Sequence, residues 1–470
     1  MRVSILPTTA ALVCVAFYAP AKADPTPECN PGAAPDSTEC GADAAAIAAS
    51  ATAAGDTAQA TALRSTAVGA GATASGVNST ALGALVTAAA PGAVALGGVN
   101  PVSGQATSSQ GVVSIAVGAG ARTTGLASTA IGPSALATSD GAVAIGGRTQ
   151  ATGFESTALG SENIASGAQS QAIGYLAQAT GTTALAAGNA AVASDEDAVA
   201  IGDLAAATGL HSTAVGGEAG ASGVGAQAFG WQANASGQTS LAAGNRAIAS
   251  ALSSSSYGFA AAASGIASTA LGHNTRAGAL AATAVGVSAN ASATGAVAVG
   301  QLSAASGVGA VALGAFANAS GAGSVAIGQG SVADQPNVVS VGSAATQRRV
   351  TNIAAGSAPT DAVNVGQLTA VNTQVGALAS RADAVDAQLD LLDDRVASST
   401  AVAVAMGGAA FLPNTRFNLT ANLSTYDGAQ AGSLQLGALV SDNVAINAGL
   451  ATVFNKHGDT AGRVGVTVGW

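Results

Sequence analysis

Short words in which small apolar and hydroxyl side chains alternate recur along most of the chain, each closed by a glycine. Ser128-Thr129-Ala130-Ile131-Gly132, Ala142-Val143-Ala144-Ile145-Gly146, Ser156-Thr157-Ala158-Leu159-Gly160 and Ser324-Val325-Ala326-Ile327-Gly328 are examples. The closing glycines Gly118, Gly132, Gly146, Gly160 and Gly174 lie 14 residues apart, and the beat continues to Gly342. Self-similarity at a fixed short period marks a solenoid. Alternation with period two predicts strands with one buried face; on this reading Ala plus one Val, Ile or Leu point inward, alternating with Ser, Thr or Gln. Five residues after each glycine stands Ala, as at Ala137, Ala151, Ala165 and Ala179, with Val102 and Thr123 as exceptions. A second glycine often follows, as at Gly153, Gly167 and Gly181, so each rung is two strands and two corners. A rung this small buries too little to fold alone, so stacking must stabilise it and length itself becomes stabilising. At about 4.8 Å per stacked strand, the run makes a rod on the order of 100 Å long.

The beat extends upstream through Gly97, Gly83, Gly69 and Gly55, with a weak echo at Gly41. Gly97 and Gly118 are 21 residues apart, and Pro101 in that insert predicts a bulge or loop. Ser253-Ser254-Ser255-Ser256-Tyr257, Phe154, Trp231 and His273 depart from the pattern and read as surface variation or as receptor contacts.

Beyond Gly342 the period changes. Leu368, Val375, Ala382, Leu389 and Val396 occupy one heptad position, and Val371, Leu378, Val385 and Leu392 the other. This is a coiled coil with Asp383, Asp386, Asp390 and Arg395 outside it, and its mixed core leaves the strand number open. The final segment returns to period two. Phe417, Leu419, Ala421 and Leu423 alternate with Arg416, Asn418, Thr420, Asn422 and Ser424. Three further strands carry Leu434, Leu436, Ala438 and Val440, then Val444, Ile446, Ala448 and Leu450, then Val464, Val466, Val468 and Trp470. Asp427-Gly428, Asp442-Asn443 and Gly458-Asp459 mark the turns. Strands near nine residues, apolar on one face and ending on an aromatic, match outer-membrane strands. Four strands cannot close a pore and a lipid-exposed edge is untenable, so several chains must contribute. Three chains supply twelve strands, an even number, and the coiled coil upstream sets the count.

Met1-Arg2, an apolar run to Phe17 and Ala21-Lys22-Ala23 read as a secretory signal cleaved before Asp24. Cys29 and Cys40 remain in an oxidising compartment, as a local disulfide, two free thiols or a cross-chain pair. No later stretch of about 20 apolar residues offers a transmembrane helix, so any insertion uses strands. Aromatics at 3% and charged residues at 8% are too sparse for a conventional enzyme core, and a net charge of −10 argues against nucleic acid. Neither Lys22 nor Lys456 follows a glycine, which excludes the Gly-Lys-Ser/Thr phosphate loop. His211, His273 and His457 lack metal-ligand spacing, and Asp195-Glu196-Asp197 reads as a solvated corner rather than a calcium site. No catalytic, cofactor or metal residue is expected.

Taken together, the Ser-x-Ala-Ile/Val/Leu-Gly words, the segment from Arg348-Arg349 through Asp361-Ala362-Val363-Asn364-Val365-Gly366-Gln367-Leu368, and the strands ending at Trp470 resemble the YadA-like trimeric autotransporter adhesins of Gram-negative bacteria. The resemblance implies a mainly β homotrimer with a left-handed parallel β-roll head of 14-residue rungs, a trimeric coiled-coil stalk and a 12-stranded outer-membrane barrel of four strands per chain. The implied plan is a signal over 1–23, a linker or cap over 24–54, head over 55–342, neck over 343–368, stalk over 369–396 and anchor over 397–470. Arg348, Arg349, Asp361, Asn364 and Gln367 would be structural in the neck. Phe417, Leu419, Leu423, Leu434, Leu436, Val444, Ile446, Leu450, Val464, Val466, Val468 and Trp470 would face lipid. The expected partners are the chain itself, outer-membrane lipid, the barrel assembly machinery, and a host matrix or cell-surface receptor. The expected place is the outer membrane and cell surface, reached through the periplasm, and the expected role is attachment to matrix, host cells or other bacteria. The alternative is a non-adhesive surface shield or biofilm spacer.

Overall fold

The computed structural model describes residues 28–470 apart from Ala409, His457 and Asp459. The expected signal over 1–23 lies outside the described residues. The chain divides into two units at Arg348/Arg349.

In the first unit each rung contributes one strand of mostly three residues and one of two, for example Thr129–Ile131 and Leu136–Ala137. Each pairs in parallel with its counterpart on the next rung without slippage: Ala130 faces Ala144 and Ile131 faces Ile145 in one sheet, and Ala137 faces Ala151 in the other. The first sheet has 23 strands, which at about 4.8 Å each extends on the order of 100 Å. Corners are bonded rung to rung as well, with Glu155 N–H on Asp140 O and Glu162 N–H on Gly147 O, both 2.9 Å. The regular stack already begins at Thr38–Cys40, paired with Thr52–Ala54, so the echo at Gly41 closes a full rung.

The interior is built of alanine. Ala135, Ala137, Ala142 and Ala144 are fully buried, and the same stations repeat along the unit with Ser, Thr or Asn as the substitutes. The expectation that one Val, Ile or Leu per rung points inward is overturned. Ile131, Ile145 and Ile327 are 38%, 39% and 40% exposed, and Val86 is the only buried aliphatic larger than alanine among the described residues of this unit. Alternation about the inward Ala130 sends both of its neighbours, Thr129 and Ile131, outward. Many inward serines are satisfied locally, as where Ser128 Oγ donates to Gly125 O at 2.7 Å, whereas the buried hydroxyls of Ser79, Ser170 and Ser268 have no partner among the described residues.

The insert between Gly97 and Gly118 leaves the stack intact. Val94–Leu96 pairs directly with Ile115–Val117, and Ser108–Ser109 takes the place of the two-residue strand. The extra residues leave as a small hairpin closed by an antiparallel bridge between Val99 and Ala106. Asn100 Oδ1 accepts from Val102 and Ser103 N–H at 2.8 and 3.1 Å, which fixes the turn beside Pro101. Val102 is therefore a hairpin residue, and Ser109 holds the inward station. There it meets Ser114 Oγ at 2.7 Å, while Thr123 Oγ1 lies 2.9 Å from Ser114 Oγ, so the polar exceptions satisfy one another.

Both ends of the stack are closed. Cys29–Pro31 adds an antiparallel strand to Thr38–Cys40, and a disulfide joins Cys29 to Cys40. The buried Glu39 accepts from the Ala46 N–H at 2.6 Å, at the first strand of the second sheet. At the far end the Arg348 guanidinium donates to Val341 O at 2.7 Å, to Ser331 Oγ at 2.9 Å and to Gln329 O.

The second unit holds the helix Val365–Ala405 and a four-stranded antiparallel sheet. Asn364 caps the helix in a capping box: its Oδ1 accepts from Gln367 N–H at 3.0 Å, and Gln367 Oε1 accepts from Asn364 N–H at 3.3 Å. Gln367 also grips the loop before it, accepting from Gly356 N–H and donating to Gly356 O, both at 2.9 Å. Asp361 Oδ2 accepts from Ser357 and Ala358 N–H, both at 2.9 Å. Those backbone donors, Ala358 first, hold the Asp361 carboxyl below the ordinary carboxylate value.

Two outcomes are expected. At Gly216, where φ is +132°, an added Cβ would lie 2.5 Å from Gly230 O, whereas at Gly220 it would meet nothing within 4 Å. Gly216→Ala should cost at least about 2 kcal/mol in thermal unfolding of the full chain, and Gly220→Ala should cost nothing or stabilise it slightly. Because the folded value of Asp361 is depressed, its contribution is complete above the unfolded carboxylate value and is lost as pH falls through the folded one. Amide-exchange protection at Ser357 and Ala358 should fall over that acid range, and Asp361→Asn should abolish the pH dependence.

Candidate functional site

The C-terminal sheet is made of strands Phe417–Tyr426, Ala429–Ser441, Val444–Val453 and Thr460–Val468, of 10, 13, 10 and 9 residues. Each is long enough to cross a bilayer as a tilted strand. Antiparallel register puts Leu419 opposite Leu436, Leu434 opposite Leu450, and Ile446 opposite Val466, so one face is a continuous apolar surface. Phe417, Leu419, Leu423, Leu434, Leu436, Ile446, Leu450, Val464, Val466, Val468 and Trp470 are all exposed on it, with Leu423 at 86% and Val464 at 80%, and Val444 is half-buried. The first and last strands each pair on one side only, which leaves two open edges.

The opposite face is polar and small, and it carries the end of the helix. Ala397, Ser398, Ala401, Val402 and Ala405 are buried against Ala429, Ala431, Ala451 and Val453. A helix leaves its last carbonyls without internal partners. Here the sheet supplies them: Ser433 Oγ donates to Ala405 O and Asn422 Nδ2 to Ala405 O at 3.1 Å, while Ser424 Oγ adds a bond to Ala401 O one turn earlier. Gln435 Nε2 and Arg463 Nη1 reach Met406 O at 3.2 and 2.6 Å. Lys456 Nζ binds Asp394 Oδ1 at 2.9 Å, a bond that raises the lysine above its ordinary value. The polar half of the strand alternation was evident from the chain, but its use as a clamp on helix carbonyls was not. No local motif joins Arg463 to Met406, 57 positions apart.

On the helix, Leu368, Val371, Val375, Leu378, Ala382, Val385, Leu389, Leu392 and Val396 are all exposed, Leu378 at 64%. One chain leaves the whole heptad seam uncovered. The helix runs unbroken through Val396 and Ala397. No helix among the described residues is long and apolar enough to cross a membrane. Of the neck positions, Asp361, Asn364 and Gln367 meet in one loop brace, Arg348 closes the rung stack, and Arg349 is exposed.

Along the rod, corner side chains form ladders between rungs. Arg148 pairs with Glu162, and His211 Nδ1 lies 3.2 Å from Asp197 Oδ2. Among the described residues no three or more His, Cys, Asp or Glu converge to hold a metal.

Comparison with known proteins follows this division. The YadA head domain repeat matches overlapping segments from 46–72 to 319–345, which together cover more than half of the chain. The coiled stalk of trimeric autotransporter adhesin matches 349–391, and the YadA-like membrane anchor domain matches 411–470. Among solved structures, the crystal structure of the collagen-binding domain of the Yersinia adhesin YadA is similar at 27% identity, over 45% of this chain and 85% of that one, with a TM-score of 0.19. No curated protein matches. With repeat, stalk and anchor following one another along a single polypeptide, the chain belongs to the YadA-like trimeric autotransporter adhesins.

Proposed function

We propose that three copies of this chain form one surface adhesin: twelve strands close a single outer-membrane barrel, three helices form the stalk, and three rods present the head. The observation that carries this reading is the pair of open edges on an apolar-faced sheet. Unpaired backbone in hydrocarbon costs several kcal/mol per group, so a sheet with this face cannot end inside a bilayer. Four strands per chain and three chains close it at twelve, within the range of known barrels. The uncovered heptad seam also calls for partner chains, and the stalk takes the count of the barrel because the two must share one symmetry.

The head carries a matching surface. Because rungs stack without slippage, Leu82, Ile131, Ile145, Ile173, Ile201, Leu271, Leu313 and Ile327 align along one face of the first sheet. A stripe this long is far larger than scattered apolar surface positions. Packed against two other copies it is buried, and the alanine interior is then only half of the core.

In this reading the chain is carried to the periplasm, its anchor is folded by the barrel assembly machinery, and the head passes outward through the pore. The helical segment that the inner sheet face clamps stays behind in it. The assembled rod acts mechanically, through three identical copies of every contact, and performs no catalysis. Three weak contacts presented together give an avidity that one lacks, and attachment to matrix, host cells or other bacteria follows from it.

Removal of residues 414–470 is expected to abolish surface staining while leaving fragments in the periplasm. Unchanged staining contradicts the anchor assignment. Cells displaying the full chain should adhere to immobilised matrix proteins or cultured cells, and uniform failure favours the shield.

A further inference from the structure

Aromatic side chains are scarce in the rod, yet four of them lie on two rungs. Phe229 and Trp231 flank Gly230, Tyr257 and Phe259 flank Gly258, and the rung between carries Ala243 and Asn245 at the same stations. Register aligns Phe229 with Ala243 and Ala243 with Tyr257. Two aromatic ridges therefore stand about 9.6 Å apart across a low step. Phe229 and Tyr257 belong to the face assigned above to the trimer. Trp231 and Phe259 lie on the corner beside it and are exposed.

That corner is built around a cation. Trp231 leans over Gly217, where a Cβ would come 3.2 Å from Trp231 Cδ1. The Arg246 guanidinium lies 5.0 Å from the Trp231 ring centroid. Its Nε donates to Gln232 Oε1 at 3.0 Å, and Gln232 Nε2 donates to Glu218 Oε2 at 2.7 Å, a ladder that holds the arginine on the ring. The two terminal guanidinium nitrogens have no partner among the described residues. Beyond the second ridge Phe259 stacks on His273, centroids 5.1 Å apart and planes at 8°. Elsewhere the same corner station mostly holds small or polar residues such as Gly147, Ser161, Asn189 or Asp203, with one further aromatic, Tyr175, standing four rungs from Trp231.

We propose that this corner binds an acidic glycan laid along the rod, with sugar rings on Trp231 and Phe259 and a sugar carboxylate on Arg246. The apolar C–H face of a pyranose packs on an aromatic ring, and its hydroxyl rim suits planar donors and acceptors such as Asn245, Gln232 and Asn274. The open guanidinium fork matches a carboxylate in two parallel hydrogen bonds. Stacking on Trp231 has already restricted the arginine, which lowers the ordering cost of binding. The net charge of −10 repels polyanions elsewhere on the chain, so recognition has to be local to this cation.

The inference rests on the adhesin reading and names its ligand class. The test uses cells displaying the full-length protein, with fluorescent hyaluronan hexasaccharide as the acidic probe and chitohexaose as its neutral counterpart, read by cytometry. Saturable binding of hyaluronan is expected, with chitohexaose bound far less. Trp231→Ala and Arg246→Gln should each weaken it about tenfold at unchanged surface staining and unchanged heat resistance of the trimer. Equal binding of both sugars, or either variant binding like the parent, overturns the proposal. So does absent hyaluronan binding by cells that still adhere to matrix proteins or cultured cells, in which case the adhesin reading stands. Failure to adhere to anything counts against both.

Discussion

A strand edge must find a partner, and every part of this chain is arranged around that requirement. In the rod each rung is the partner of the next, 14 residues on, or 21 where the hairpin insert is skipped. The requirement reappears only at the two ends, where the Cys29–Pro31 strand with the buried Glu39 carboxylate closes one and the Arg348 guanidinium closes the other. Exposed edges invite pairing with other chains, and solenoids need such caps to remain soluble. In the C-terminal sheet the same requirement is unmet within one chain, and the proposed trimer would meet it. The head is self-sufficient in backbone bonding while the anchor is not.

The narrow alanine interior follows from the same stacking. The glycine that closes each long strand lets one rung's backbone lie against the next: a Cβ on Gly132 would sit 2.4 Å from Gly146 O. With methyl groups filling the inside, the larger Val, Ile and Leu side chains are left on the outside, where the proposed trimer would bury them. Several polar residues that stray inward find a carbonyl or another hydroxyl at hand, as Ser109, Ser114 and Thr123 do.

Much of this was legible because period carries so much information in a repetitive chain. The glycine beat marked the rungs, the heptads marked the helix, and the return to period two marked the four strands. Alternation alone could not say which of its two faces was inside, and the larger side chains suggested the wrong one: Ile131 and Ile145 looked like core and are surface. The doubtful echo at Gly41 proved to be a full rung because a strand's partner, not its spelling, defines it. Val102 looked like a broken repeat only because counting ran through a hairpin that the stack ignores. The clamp from Asn422, Ser424, Ser433, Gln435 and Arg463 onto the helix end was invisible, since it joins positions remote along the chain. Likewise Trp231 read as an isolated departure until the rung spacing brought Arg246 over it.

The central claim is that the sheet edges of one chain are completed by two others. Its most direct test is the mass of the full-length protein extracted in detergent, measured before and after heating. The account requires a species of three chains that falls to a single chain only on heating. A single chain in unheated detergent, with the four-stranded sheet still folded, would contradict it.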